Sequence, residues 1–285
     1  MRRAARLSEA GNPAAAASKA AEAAATIAAA GDPSVLEWAR RSEARLRIAA
    51  GEVDEGERLF REIARDAVAS ISVALDAAHA LHLSGNLSRA IPWYREAVLG
   101  RGDQEEPWIV IGALEDALLA FCEKGRFDEA LALVESGPVA WSWKEEMRAV
   151  VLWRAGRPVS PPPGIEPATS LRRLWLLEER LAVGADAGTL LPAVVAEKAK
   201  AAGEREFLDL LEAELLLRTG RGKEGWTLAA PAFSALWARR SSDVTARGHL
   251  GLAADRAARA AEAAGARAEA GRIRREASLF LAATR

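Results

Sequence analysis

Apolar residues recur along this chain at intervals of three and four, and glycines cut the recurrence at nearly regular distances. The stretch from Leu81 to Leu99, LHLSGNLSRAIPWYREAVL, carries the pattern most cleanly. It reads as the end of one helix, a tight turn at Gly85 and Asn86, and a second helix with Ala90, Tyr94 and Ala97 on one face. Looser copies lie on both sides. Residues 1–31 predict a short helix, a turn at Gly11-Asn12-Pro13, and an alanine-rich helix ending at Gly31-Asp32-Pro33. Proline in the first turn of a helix loses no hydrogen bond, and glycine just past the end supplies a left-handed cap. A helix capped near Ser34 then runs through Trp38, Ala44 and Ile48 to Gly51, with EVDEGERLFREIARD as its partner. The next helices are predicted from Ile71 to Ser84, from Leu87 to Leu99, and from Pro107 and Trp108 to a turn at Gly125. FDEALALVES then ends at Gly137-Pro138, and a helix from Trp141 to Ala155 stops at Gly156.

Prolines 158, 161, 162, 163 and 167 interrupt the pattern, because each lacks an amide donor and clashes with the preceding turn. Such a segment is a surface loop or a hinge. The domain organisation expected is therefore a helical array over residues 1–157, a proline-rich segment over 158–170, and a second array over 171–285, continuous with the first or separate from it. The second array reads as helices from Leu171 to Val183 and on to Ala202, then pairs split at Gly220 and Gly265, ending near Leu281.

Composition agrees with this picture. Half the 285 residues are apolar, mostly Ala and Leu, and only 6% are aromatic, so strong helix formers dominate. No stretch alternates Val, Ile and Thr with period two, and the fold class predicted is all-α. A net charge of −1 gives no global basic field, so neither a nucleic-acid partner nor a membrane is expected. Nine arginines from Arg239 to Arg275, among them Arg247 and Arg256, outnumber the acids of the tail and read as a solvated face. Cys122 is the only cysteine, which excludes an intramolecular disulfide and suits a reducing compartment. The two N-terminal arginines have no apolar run behind them, and Ser18, Lys19, Glu22 and Thr26 break the alanine-rich stretch. The expectation is a cytoplasmic protein.

The turn glycines Gly51 and Gly85 lie 34 residues apart, Gly85 and Gly125 lie 40 apart, and Gly125 and Gly156 lie 31 apart. A period near 34 with two helices per unit resembles the tetratricopeptide repeat family. Ala78 stands at the small-residue position of the first helix of a unit. Ala90, Tyr94 and Ala97 stand at the Ala, Phe/Tyr and Ala positions of the second. Neighbouring units keep Gly125, Phe127 and Ala130, and Ala44, Gly51 and Phe60. Small residues let two helix backbones approach, and one hairpin cannot bury its own apolar face, so hairpins stack. The resemblance implies a right-handed α-solenoid of antiparallel helical hairpins whose first helices line a groove. It covers residues 35–137 best, and the family's Trp and Tyr positions on the first helix are mostly not kept.

That groove, carried over residue by residue, holds Trp38, Arg41 and Arg45 in one unit. The next units give it Leu75, His79 and His82, then Glu115 and Leu119, and the helix from Trp141 gives it Trp143, Glu146 and Trp153. Aromatic anchors with arginines suit capture of a peptide or partner helix. The function expected is a non-enzymatic scaffold or adaptor, with Arg41 and Arg45 meeting an acidic group of another protein. The alternative is a regulatory or sensor module coupled to a separate effector, such as a kinase, an ATPase or a transcription regulator.

Other constellations are weaker. Asp76, His79 and His82 offer too few ligands for a metal, and no metal or other cofactor is expected. Glu105-Glu106, Glu145-Glu146 and Glu178-Glu179 point about 100° apart on a helix and cannot face each other as an acid/base pair. TGRGKEG lacks the Lys-Ser/Thr ending and the preceding strand of a phosphate loop. Cys122 reads as a small buried thiol, and His249 stands alone.

Overall fold

Fifteen helices and no strand occupy the described residues of the computed structural model. Those residues are 4, 7–8, 11–66, 70–100, 107–157, 170–182, 184–200 and 205–283; the proline-rich residues 158–169 lie outside them. The helices are α1 (Pro13–Ala30), α2 (Pro33–Ala49), α3 (Val53–Asp66), α4 (Ser70–Leu83), α5 (Leu87–Leu99), α6 (Pro107–Glu123), α7 (Phe127–Ser136) and α8 (Trp141–Arg154). They continue as α9 (Ser170–Ala182), α10 (Ala187–Lys198), α11 (Arg205–Arg218), α12 (Gly222–Arg239), α13 (Val244–Gly248), α14 (Leu250–Ala263) and α15 (Arg267–Ala283).

The turn glycines Gly11, Gly31, Gly51, Gly85, Gly125, Gly156, Gly220 and Gly265 have positive φ, between 67° and 88°. At Gly85 the left-handed backbone closes the end of α4: the Gly85 amide donates to His82 O (3.0 Å) and the Asn86 amide to Leu81 O (2.8 Å). The cap of α2 lies near Ser34, as expected, two residues before it. Asp32, not Ser34, is the N-cap, accepting from the Ser34 and Val35 amides at 3.2 Å, with Pro33 in the first turn. Ser34 instead donates its hydroxyl to the same carboxylate (2.9 Å). A carboxylate beside the exposed amides of a helix start also meets the positive end of the helix dipole.

The chain forms two compact units, residues 1–120 with 136–138, and residues 121–135 with 139–285. In unit 1, α1 packs on α2, α2 on α3, α3 on α4 and α4 on α5, and α2 also packs on α4. Close approach at the α2–α3 contact rests on Gly56: a Cβ there would stand 2.7 Å from Ala44 O and 2.5 Å from Ile48 Cγ1. Ala44, Ala78, Ala90 and Ala97 are fully buried beside Phe60, Trp93 and Tyr94. Polar rungs join alternate helices. Arg41 on α2 holds Asp76 on α4 (Nη2–Oδ2 2.7 Å). His79 on α4 holds Asp116 on α6 (2.8 Å). Arg89 on α5 reaches Asp54 and Glu57 on α3 (2.6 Å each), and Arg61 on α3 reaches Glu96 on α5 (2.9 Å). The Arg61 guanidinium lies 3.7 Å over the Trp93 ring, and the indole donates to Glu57 (3.1 Å).

Unit 2 is organised around α11, which contacts α9, α10, α12 and α14. Its sequence REFLDLLEAELLLR is apolar on most of its circumference, and Phe207, Leu208, Leu210, Leu211, Leu215 and Leu216 are all buried. The glycines of TGRGKEG split between two tasks. Gly220 makes the turn, whereas Gly222 and Gly225 sit in α12 where a Cβ would lie 2.7 Å from Ala263 Cβ and 2.9 Å from Ala213 O. The one-turn helix α13, capped by Asp243, has no forerunner in the periodic pattern. The arginine-rich tail is only partly a solvated face. Arg247 is fully buried, and buried Arg256 pairs with Glu178 (2.6 Å).

Candidate functional site

The first-helix face of unit 1 brings together five of the predicted residues. On α2, Trp38, Arg41 and Arg45 follow one another at helical spacing, and Trp38 is 52% exposed. Arg41 is already engaged. Its Nε donates to Asp76 Oδ2 (2.9 Å) and its Nη2 to Ser72 O (3.1 Å). Arg45, with 46% of its side chain exposed, approaches the other oxygen of Asp76 only to 3.8 Å, and its Nη2 makes one long bond to Ser42 Oγ (3.4 Å). The arginine available to an acidic group is therefore Arg45. Arg41 serves to hold α2 against α4. Half-buried Leu75 and His79 continue the face on α4, with the His79 ring 5.9 Å from the Tyr94 ring.

Four other residues are not on an accessible face. His82 is fully buried, its Nδ1 3.0 Å from the Tyr94 hydroxyl and its ring edge-on to Tyr94. Glu115 and Leu119 are buried on α6, and Glu146 is buried on α8. The i, i+3, i+7 rule assigns a stripe but not its depth. A helix as apolar as α6, PWIVIGALEDALLAFCE, buries far more than one stripe. Trp143 and Trp153 are half-buried residues of α8 in unit 2, apart from the unit 1 cluster in the division of the chain.

Asp76 and Asp116 complete the face and were not among the predicted partners. Their signal was present: Arg41 to Asp76 spans 35 residues and His79 to Asp116 spans 37, close to the repeat period.

A second polar cluster lies in unit 2. His249 is fully buried. Its Nδ1 is 2.9 Å from Thr245 O, and its Nε2 is 2.9 Å from the Trp175 indole nitrogen. An indole N–H only donates, so Nε2 must accept and the proton must sit on Nδ1. The imidazole is thus held neutral, and burial with the nearby charges of Arg154 and Arg256 pushes its pKa well below the usual value. The Phe207 and Trp175 rings pack on it at 4.9 and 6.1 Å. Nearby, the Cys122 thiol is pushed up to about 11 by burial, with Arg154 opposing the shift. No sequence period links Arg154 to the 248–249 region, 94 residues on, so this cluster had no local signal.

Among the described residues, no group of three or more His, Cys, Asp or Glu side chains is arranged to hold a metal, and no helix is long and apolar enough to cross a membrane. Comparison of the chain with protein-family models, with curated proteins and with solved structures gives no match.

Proposed function

We propose that this chain is a non-enzymatic adaptor in which the hairpins of unit 1 stack as a right-handed, tetratricopeptide-like α-solenoid. Its first-helix face receives a peptide or partner helix from another protein. The observation that carries the reading is Trp38, a half-exposed indole one turn from Arg41 and two from the half-exposed Arg45. Covering the exposed part of an indole removes roughly 100 Å² of apolar surface, worth about 2.5 kcal/mol before the costs of association. A guanidinium beside it adds directional recognition of a carboxylate. The rungs from Arg41 to Asp76 and from His79 to Asp116 support the same reading, because they fix neighbouring hairpins and so present the anchors on a stiff wall.

The test is affinity purification of the full chain from its native cells, compared with the double variant Trp38→Ala and Arg45→Glu. At least one co-purifying protein should fall about tenfold or more in the variant, with the helical circular dichroism spectrum unchanged. Equal recovery of every partner would remove this face from the function.

A further inference from the structure

Unit 2 holds a cavity of about 300 Å³ lined by Cys122, Glu123, Phe127, Trp153, Arg154 and Leu252. Two of the lining residues could supply charge, and they differ in their commitments. Glu123 faces the buried guanidinium of Arg247 at 3.5 Å. Arg154 has a single long hydrogen bond, from Nη1 to Gly248 O (3.4 Å), while its Nε and Nη2 are buried and meet no acceptor in the protein. The other cation nearby, Arg256, is taken by Glu178 (2.6 Å), and His249 is neutral. Among the described residues of the cluster, one positive charge is therefore uncompensated.

The identity of the idle donors matters. Nε and Nη2 form the side-on edge of the guanidinium, the pair of parallel N–H groups that meets both oxygens of a carboxylate at once. Burying such donors without acceptors costs on the order of 1–3 kcal/mol, and arginine cannot shed its charge to avoid it. A site that keeps this cost is arranged for an incoming acceptor. The rest of the lining is aromatic or aliphatic, and a cavity of this size fits a small molecule.

We propose that the cavity binds a small organic monocarboxylate, its carboxylate on the Nε–Nη2 edge of Arg154 and its apolar part against Phe127, Trp153 and Leu252. A phosphate dianion suits the site less well, since Arg154 is the one cation among the described lining residues and Glu123 stands in the wall.

Cys122 gives a reporter inside the cavity, and it is the only thiol of the chain. Iodoacetate and iodoacetamide alkylate it by the same displacement: Sγ bonds to the methylene carbon, the carbon–iodine bond breaks, and its electron pair leaves with iodide. Because one thiolate attacks both reagents, its ionisation cancels in the ratio of rates. The iodoacetate-to-iodoacetamide ratio for Cys122 should exceed that of N-acetylcysteine about tenfold or more. Arg154→Gln should return it to the free-thiol value. Arg154→Lys, which keeps charge but not the fork, should lose most of the excess. Benzoate should protect wild-type Cys122, while benzyl alcohol and inorganic phosphate should not. Leu252→Trp, which fills the cavity and leaves Arg154 intact, should abolish protection by benzoate. A wild-type ratio equal to that of the free thiol overturns the proposal, as does full retention of the excess in Arg154→Lys or protection by phosphate equal to that by benzoate. The benzoate and phosphate arms need only the wild-type chain, so misfolding of a variant cannot shelter the idea.

Discussion

Replacing Gly56 by alanine sets two well-measured effects against each other. In a helix, alanine is favoured over glycine by about 0.5–1 kcal/mol, because glycine loses more backbone freedom on folding. Against this stands the geometry of the α2–α3 contact, where the new methyl would lie 2.7 Å from Ala44 O and 2.5 Å from Ile48 Cγ1. Both neighbours belong to fully buried residues, and a backbone oxygen cannot rotate aside as a side-chain end can. Relief requires the helices to separate, at the roughly 1–3 kcal/mol typical of overpacking. The net expectation is a destabilisation of about 1 kcal/mol, a fall in melting temperature of roughly 2–8 °C by circular dichroism. Gly271→Ala in α15 is the matched control. Its nearest neighbour is the mobile guanidinium end of Arg275 at 3.4 Å, so the same change should stabilise by about 0.5–1 kcal/mol. Gly56→Ala as stable as wild type, or more so, would refute close nesting of α2 and α3.

Three further outcomes follow from the same geometry. A double-mutant cycle on Arg41→Met and Asp76→Leu, read by urea unfolding, should give a coupling of about 1 kcal/mol, since both groups are only partly exposed and the bond also orients Arg41 on Ser72. Because His249 is held neutral in the fold, the unfolded chain takes up its proton first as pH falls. Stability should therefore be fully present above about pH 6.5 and fall by up to about 1.4 kcal/mol per pH unit below it, a slope that should shrink in His249→Gln. The thiolate fraction of Cys122 is lowered about a hundredfold by a pKa near 11 against 9.0, partly offset by its greater nucleophilicity. Its iodoacetamide rate at neutral pH, followed by intact mass, should be about tenfold below that of an unperturbed thiol.

The helices and their turns were legible because each is set locally. A glycine that must adopt positive φ, or a proline in a first turn, needs no distant neighbour to act. Depth was not legible. The stripe through Glu115 and Leu119 was placed on one face of α6, yet whether that face meets protein or water depends on elements packed around it. The buried arginines fail for the same reason: Arg256 looks like one of many tail cations until Glu178, 78 residues earlier, is brought beside it. The rungs of unit 1 lie between these cases, since their spacing of 35–37 residues echoes the repeat and could have been read from it.

That spacing has an evolutionary corollary. Gly-turned hairpins look like modules to be duplicated or excised at will, but Arg41 bonds to a carboxylate of the following hairpin and His79 to one of the hairpin after that. Cut out the middle module and each surviving partner would inherit a stranger, with Arg41 meeting the position of Ala113 and Asp116 meeting that of Ala44. The order of the hairpins is thus inscribed in who neutralises whom, and a reshuffled chain of the same parts would carry orphaned ions at its seams.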